Sequence, residues 1–421
     1  MLDLKLIRSE PERVKAALDR RGAAGNVDEL LELDERRRQL LPEIEAARGE
    51  RKKESEKIGA LKKAGEDAAA QMEAVRELKV RLEEKEGELE SVETRLSEVA
   101  ASLPNLPDPS SPDGFTDEDA ELIRQVGEIH DFGFEPKDHV ELAGDGIELE
   151  AAAKVSGARF AYLKGDLVML EFALVRWALE KLRAEGHEPV IPPILVREEA
   201  LFGTGFLPGD RDQIYELEKD DLYLAGTSEV PLAGLHAGQI LEADQLPIRY
   251  AGFSSCFRRE AGAAGRDTHG IFRVHQFDKV EMFSFVKPED ASTEHERILA
   301  IEEGILADLG LPYRVVNVAA GDLGGSAAKK YDCEAWIPSQ DRYRELTSCS
   351  NTTDFQARRI GCRYRPGPGA APEFVNTLNG TAVAVGRTII ALLENHQKAD
   401  GQVAIPEVLH PYGAPANIGP A

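Results

Sequence analysis

Two arginines, Arg258 and Arg273, flank the glycine-containing core of FSSCFRREAGAAGRDTHGIFRVHQFDKVEMFSF, residues 253–285. The pattern predicts strand, loop and strand, with Gly262, Gly265 and Gly270 permitting the sharp reversal and the two arginines on the flanking strands. A planar guanidinium grips phosphate oxygens two at a time and stays charged when partly buried, so such a pair on a rigid sheet suits a phosphate ester. Solvated or salt-bridged arginines would give the same pattern, and it alone does not separate the readings. Neither a G-x-x-x-x-G-K-[ST] loop nor a G-x-G-x-x-G opening a βαβ unit occurs, so a nucleotide would have to be held some other way. Cys256, Cys333, Cys349 and Cys362 stand apart, without the paired spacing of a zinc ribbon or a disulfide framework. They are read as reduced thiols, Cys349 as a small buried hydrophobe. His269 and His275 lie by the loop, where satisfied or solvent-facing imidazoles account for them.

These side chains need a scaffold. Amphipathic helical stretches such as Asp166 to Glu185 mix with short strand-like runs such as RYAGFSSCF, and no regular βα alternation appears. That predicts an α+β unit, an antiparallel β-sheet flanked by helices. Upstream, from about Asn26 to Val99, apolar residues recur at steps of three and four amid dense charge. Leu33, Leu40, Ile44, Ala47, Ile58 and Leu61 form one seam; Met72, Val75, Leu82, Leu89, Val92, Leu96 and Val99 form another. KKAGEDAAA around Gly65 interrupts them, which predicts an N-terminal antiparallel coiled-coil hairpin. Each arm would run on the order of 50 Å at 1.5 Å per residue. Pro42 inside the first arm predicts a kink over Arg38 to Pro42.

At 421 residues the chain has room for two or three domains. PNLPDPSSPDGFTDEDAE marks a boundary, giving an N-terminal domain over 1–104, a linker over 105–120 and a second domain over 121–421. The net charge of −25 argues against a nucleic-acid partner if charge is evenly spread. It is not: Arg36 to Lys63 carries ten basic and five acidic residues, Glu66 to Glu98 five basic and eleven acidic. A solvated coiled-coil face would account for this as well. Ser9 and Glu12 fit a capping box with Pro11 in a first helical turn. No apolar run near the N-terminus is long enough for a signal peptide or a spanning helix, so a cytoplasmic protein with no membrane partner is expected.

Five ordered motifs then carry a resemblance. FRREAG with RVHQFDKVE is similar to motif 2 of class II aminoacyl-tRNA synthetases, in the form found in seryl-tRNA synthetases. TLNGTAVAVGRTIIALLENHQ, Thr377 to Gln397, resembles motif 3, and GHEPVIPPILV with Pro193 resembles the dimer-forming motif 1. YLAGTSEVPL, Tyr223 to Leu232, and RELTSCSNTTDFQARR, Arg344 to Arg359, resemble stretches particular to the serine enzymes. The resemblance spans nearly the whole chain, hairpin included.

It implies a ligase that activates L-serine with ATP and Mg²⁺ and passes the seryl group to tRNA(Ser), with tRNA(Sec) as a further substrate, working as a homodimer. Arg258 would hold the α-phosphate, Glu260 would lie at the adenine or ribose side, and Arg259 and Arg273 would belong to the same ATP site. Phe277 would stack on adenine, Val274 would offer it a backbone contact, and Arg387 would clamp the γ-phosphate. The run Glu345, Leu346, Thr347 and Ser348 falls on the ATP side, with Glu345 and Ser348 as the metal pair; hard oxygen ligands suit Mg²⁺. Outside the motif an ordinary surface Glu and Ser would explain that pair. Thr227, Ser228, Glu229, Glu281, Asn379 and Thr381 would form the serine pocket. Carboxylates would offset the α-ammonium, and a site built to bond a hydroxyl strongly rejects alanine. The substrate carboxylate attacks the α-phosphorus in line, so positioning and electrostatics suffice and no general base is assigned, with Arg258, Arg387 and Glu345 as the catalytic set. The hairpin would grip the long variable arm of tRNA across the dimer by shape and backbone. Two rivals remain: a decayed synthetase-like protein that binds RNA or regulates, and an amino acid:carrier protein ligase, which should lack the hairpin.

Overall fold

The computed structural model describes residues 1–262, 267 and 269–419, so Gly265 of the predicted loop lies outside the described residues. Leu2–Pro104 form one compact unit; Asn105–Ala421, with Met1, form the other.

The first unit opens with α1 (Leu4–Ser9) and α2 (Pro11–Asp19). Pro11 starts α2, but the expected capping box is not made. Ser9 ends α1 and its hydroxyl donates backwards to the Leu6 carbonyl at 3.2 Å, leaving Glu10 at the cap position. Two long helices follow, α3 (Val27–Ala64) and α4 (Ala69–Ser102). Gly65 caps α3 in the left-handed conformation, φ 74°, and its N–H reaches the Leu61 and Lys62 carbonyls, a geometry that glycine adopts without penalty. Leu40, Ile44, Ala47 and Leu82 are buried between the helices, with Leu89 and Val92 packed against them. Met72 departs from the predicted seam at 51 % exposure; it lies in the first turn of α4, where the partner helix is ending. α3 runs unbroken through Pro42. Pro42 is exposed, so the carbonyl one turn back that it leaves unbonded can be met by water.

Charge on the hairpin is paired across the helices. Arg36 meets Glu88 at 2.6 Å, Arg37 meets Glu93 at 2.8 Å and Arg48 meets Glu86 at 2.6 Å. Arg51, Lys52 and Lys53 are exposed and take no part in the ion pairs found among the described residues.

The second unit is built on an eight-stranded sheet. In chain order its strands are β1 (Glu121–Val126), β2 (Glu188–Val190), β3 (Ile248–Phe257), β4 (Gln276–Val286), β5 (Tyr313–Asn317), β6 (Lys329–Ile337), β7 (Arg342–Asn351) and β8 (Asn376–Ala384). They lie side by side as β1-β5-β6-β7-β8-β4-β3-β2, antiparallel except for the β2–β3 pair. Helices α5 (Asp166–Ala184), α7 (Ala291–Asp308) and α9 (Val385–Asn395) cover one face, around a core that takes in Val280, Met282, Cys349, Leu378 and Ala382. Short α6 (Glu229–Gly234) and α8 (Phe355–Ile360) lie elsewhere in the unit. The segment 105–120, read as a linker, is anchored at its start: the Asn105 amide donates to the Ser326 and Thr352 carbonyls at 2.9 Å each. Arg258 and Arg273 stand just beyond the ends of β3 and β4, not on the strands. The reversal begins sooner than the apolar alternation suggested, although the Arg258 N–H still bonds the His275 carbonyl at 2.9 Å.

Gly380 of β8 shows how closely α7 approaches the sheet. A Cβ there would come within 2.4 Å of the Ile298 methyl and 2.8 Å of a Glu302 carboxyl oxygen. Gly380→Ala is therefore expected to cost about 1–3 kcal/mol by overpacking. Unfolding at the wild-type denaturant midpoint would show that α7 can yield.

Candidate active site

On the sheet face opposite the three covering helices lies a cavity of about 380 Å³. Strand periodicity places most of its wall. Phe277, Lys279 and Glu281 alternate along β4 and all three line the cavity, as do Asn379 and Thr381 on β8, while Val280 and Met282 on the other face of β4 enter the core. β7 needs a special device. Glu345 and Ser348 are three residues apart, which would put them on opposite faces of a regular strand. The pairing slips between Cys333 and Glu334, so that Cys333 faces Thr347 and Glu334 faces Glu345, with Leu346 as the extra residue. That bulge brings Glu345 and Ser348 to the same cavity.

One part of the cavity is cationic. Arg258 lies over the Phe277 ring at 5.3 Å, and its Nε donates to the Gly226 carbonyl at 3.2 Å. Arg387, third residue of α9, donates to the Glu345 carbonyl at 2.9 Å, stands 3.7 Å from the Glu345 carboxylate and covers the Phe272 ring at 4.8 Å. Arg273 pairs with Glu260. Arg344 binds Asp267 through both nitrogens, at 2.8 and 2.6 Å, tying the described part of the loop to β7. Burial would raise the Glu345 pKa, but Lys330 first, then Arg387, Arg258 and Lys279, hold it down at about 2. The carboxylate is ionised at neutral pH.

Another part carries carboxylates. Glu229 opens α6 and is buried; its Oε1 accepts from Gln356 Nε2 at 2.7 Å and Asn379 Nδ2 at 2.9 Å. Lys279 pairs with Glu281 and donates to the Thr227 hydroxyl at 2.9 Å, and Thr381 Oγ1 lies 3.4 Å from Glu281. Fixed acceptors of both kinds therefore sit close to fixed cations.

Three of the expected site residues do not reach the cavity. Ser228 is fully buried and shares a hydrogen bond with Ser254 at 2.8 Å. Thr347, opposite Cys333 on the bulged strand, turns to Glu302 at 3.4 Å. Arg259 is exposed, with its guanidinium 5.7 Å from the Tyr215 ring centre. Arg258, Glu260, Arg273, Val274, Phe277, Glu345, Leu346, Ser348, Arg387, Thr227, Glu229, Glu281, Asn379 and Thr381 all line it. Lys279, Lys330 and Gln356 went unnoticed in the sequence. The alternation of Phe277, Lys279 and Glu281 would have exposed the first. His275 donates its Nδ1–H to the Arg258 carbonyl, 2.9 Å away, and His269 meets Asp138 at 3.0 Å. Among the described residues no cluster of three or more His, Cys, Asp or Glu could hold a metal by itself, and no helix is long and apolar enough to cross a membrane.

Residues 1–107 match the seryl-tRNA synthetase N-terminal domain, and residues 214–396 the tRNA synthetase class II core domain for G, H, P, S and T. A serine–tRNA ligase of Streptomyces coelicolor is 50 % identical over 98 % of this chain and 97 % of its own length. One from Rubrobacter xylanophilus is 48 % identical over the full length of both. Among solved structures, the seryl-tRNA synthetase of Pyrococcus horikoshii complexed with ATP superposes with a TM-score of 0.93 at 44 % identity, covering all of both chains. With the class II sheet, the two-sided cavity and full-length likeness in agreement, the chain belongs to the seryl-tRNA synthetases, the class II ligases that join serine to tRNA.

Proposed function

We propose that this cavity forms seryl-adenylate from L-serine and ATP and then passes the seryl group to tRNA(Ser), and to tRNA(Sec) where the cell has it. The observation that carries the reading is the meeting of a cationic wall (Arg258, Arg273, Arg387) with an acceptor-lined pocket (Thr227, Glu229, Glu281, Thr381) in one cavity. The cations suit triphosphate, and the carboxylates suit an α-ammonium. Phe277 offers adenine an aromatic face and Val274 a backbone edge. Arg258 lies between the two parts, where it can neutralise charge growing on the α-phosphate as the serine carboxylate attacks.

Glu345 and Ser348, on one face through the bulge, fit Mg²⁺: an ionised carboxylate and a hydroxyl are hard oxygen donors, and two protein ligands suffice where phosphate oxygens complete the shell. The ion would supply charge neutralisation to the phosphates. The homodimer is supported by apolar side chains left exposed on α5, Met169 at 49 % and Phe172 at 62 %, and in the stretch that resembles motif 1, Ile191 at 84 %. A cytoplasmic location and the domain division at 104 and 121 complete the proposal.

ATP–pyrophosphate exchange with each of the twenty amino acids tests the reading; exchange driven best by any other amino acid would sink it. Within that assay Glu281→Ala is expected to raise the KM for serine about a hundredfold or more, since an ionic hydrogen-bond acceptor is lost. The KM for ATP should change by no more than a few-fold. Equal losses for both would remove Glu281 from the serine pocket.

A further inference from the structure

Behind the amino-acid pocket, Gln356 of α8 is fully buried and does not itself line the cavity. We propose that Gln356 is a positioning residue that keeps Glu229 ionised and aimed at the pocket, and so sets the pH range over which an ammonium substrate is accepted. The inference rests on the reading of Glu229 as a group that meets serine.

The hydrogen bonds leave Gln356 one orientation. Its Nε2 lies 3.0 Å from the Thr204 carbonyl and 2.7 Å from Glu229 Oε1. A backbone carbonyl can only accept, so the amide nitrogen must face that side. On the other side Gln356 Oε1 accepts from the Thr377 hydroxyl at 2.8 Å, while Thr352 Oγ1 donates to the Thr377 carbonyl at 2.7 Å. With both amide hydrogens committed, Glu229 Oε1 must act as an acceptor, and Asn379 aims a second donor at it. The charged groups facing Glu229 are Glu281 and Lys279 from β4 and Arg258 beyond β3. Burial first, then Glu281, push the Glu229 pKa up to about 7, against the bond from Gln356 and the charges of Lys279 and Arg258. Glu229 therefore titrates where the balance of its partners decides its charge.

The sign of the effect follows. Losing the Gln356 bond raises the Glu229 pKa further, so at a given pH less of it is ionised and serine binds more weakly; raising the pH restores the charge. Gln356→Met keeps the length of the side chain and removes both donors. Measured on the full-length enzyme, its KM for serine should rise about tenfold or more near pH 6.5, the loss expected for one hydrogen bond to a charged group. The gap should close toward about pH 8.5, while the KM for ATP stays within about twofold. Thr377→Val removes the donor that orients the amide and should move the profile the same way by less; it decides the matter if Gln356→Met does not fold. A loss of kcat that is flat with pH, with the serine KM unmoved, would overturn the proposal. Glu229→Gln separates the two levels. If it leaves the serine KM unchanged, the pocket assignment itself fails. If it raises that KM while the Gln356 and Thr377 variants keep the wild-type pH profile, only the role of Gln356 fails.

Discussion

Arg387→Ala is expected to lower serine-dependent ATP–pyrophosphate exchange by on the order of a thousandfold, the scale seen when a guanidinium that meets transferring phosphate is removed. Fold and assembly should be unchanged by circular dichroism and sedimentation. The size follows from how little the side chain has to reorganise. Arg387 starts from the first turn of α9, directly after β8, and is held by the Glu345 carbonyl at 2.9 Å and the face of Phe272. Its orientation is thus prepared before a nucleotide arrives, which is where a fixed charge gains most over water. The same guanidinium is one of the charges, after Lys330, that keep Glu345 ionised. Arg387→Lys retains the charge without the planar fork and should recover only part of the rate. Exchange within about fivefold of wild type in the alanine variant would rule out a role in handling triphosphate, because one lost ionic hydrogen bond already exceeds that.

How far such residues can be found without coordinates depends on the periodicity they obey. The hairpin was legible because its seam repeats at helical steps and Gly65 breaks it. The cavity face of β4 was equally open to reading, since Phe277, Lys279 and Glu281 alternate, yet Lys279, between the other two, was not among the expected site residues. Glu345 and Ser348 resisted for a different reason. Their spacing contradicts a regular strand, and only the pairing with β6 shows Leu346 as the bulged residue that reconciles it. The same irregularity explains why Thr347, inside the motif, turns to Glu302. Ser228 was expected in the pocket, and Gln356 was not. Both are polar and buried, but Ser228 spends its hydroxyl on Ser254, whereas Gln356 spends its amide on Glu229. No local pattern tells a polar group that satisfies the core from one that supports a site.

Deleting Glu35 to Val92 and bridging the ends should leave serine activation nearly intact while aminoacylation of tRNA falls by on the order of a hundredfold or more, as several phosphate contacts are lost together. No motif of the activation cavity lies in that stretch, so pyrophosphate exchange has no reason to respond. The net charge of −25 seems to oppose an RNA partner, but the ion pairs of the hairpin divide its basic residues into two groups. Arg36, Arg37 and Arg48 are already occupied by glutamates of α4, and occupied arginines have less to offer phosphate. Arg51, Lys52 and Lys53 lie farther along α3, exposed and outside those pairs. Neutralising these three together should weaken tRNA binding and flatten its dependence on salt, each lost phosphate contact lowering the slope by roughly 0.7 to 0.9. Removing Glu86, Glu88 and Glu93 should not weaken binding, because it frees arginines instead of taking cations away. If the deletion variant charged tRNA as well as the full chain, or the triple neutralisation left the salt slope where it was, the hairpin would be a structural element and the phosphate contacts would have to be sought on the class II unit.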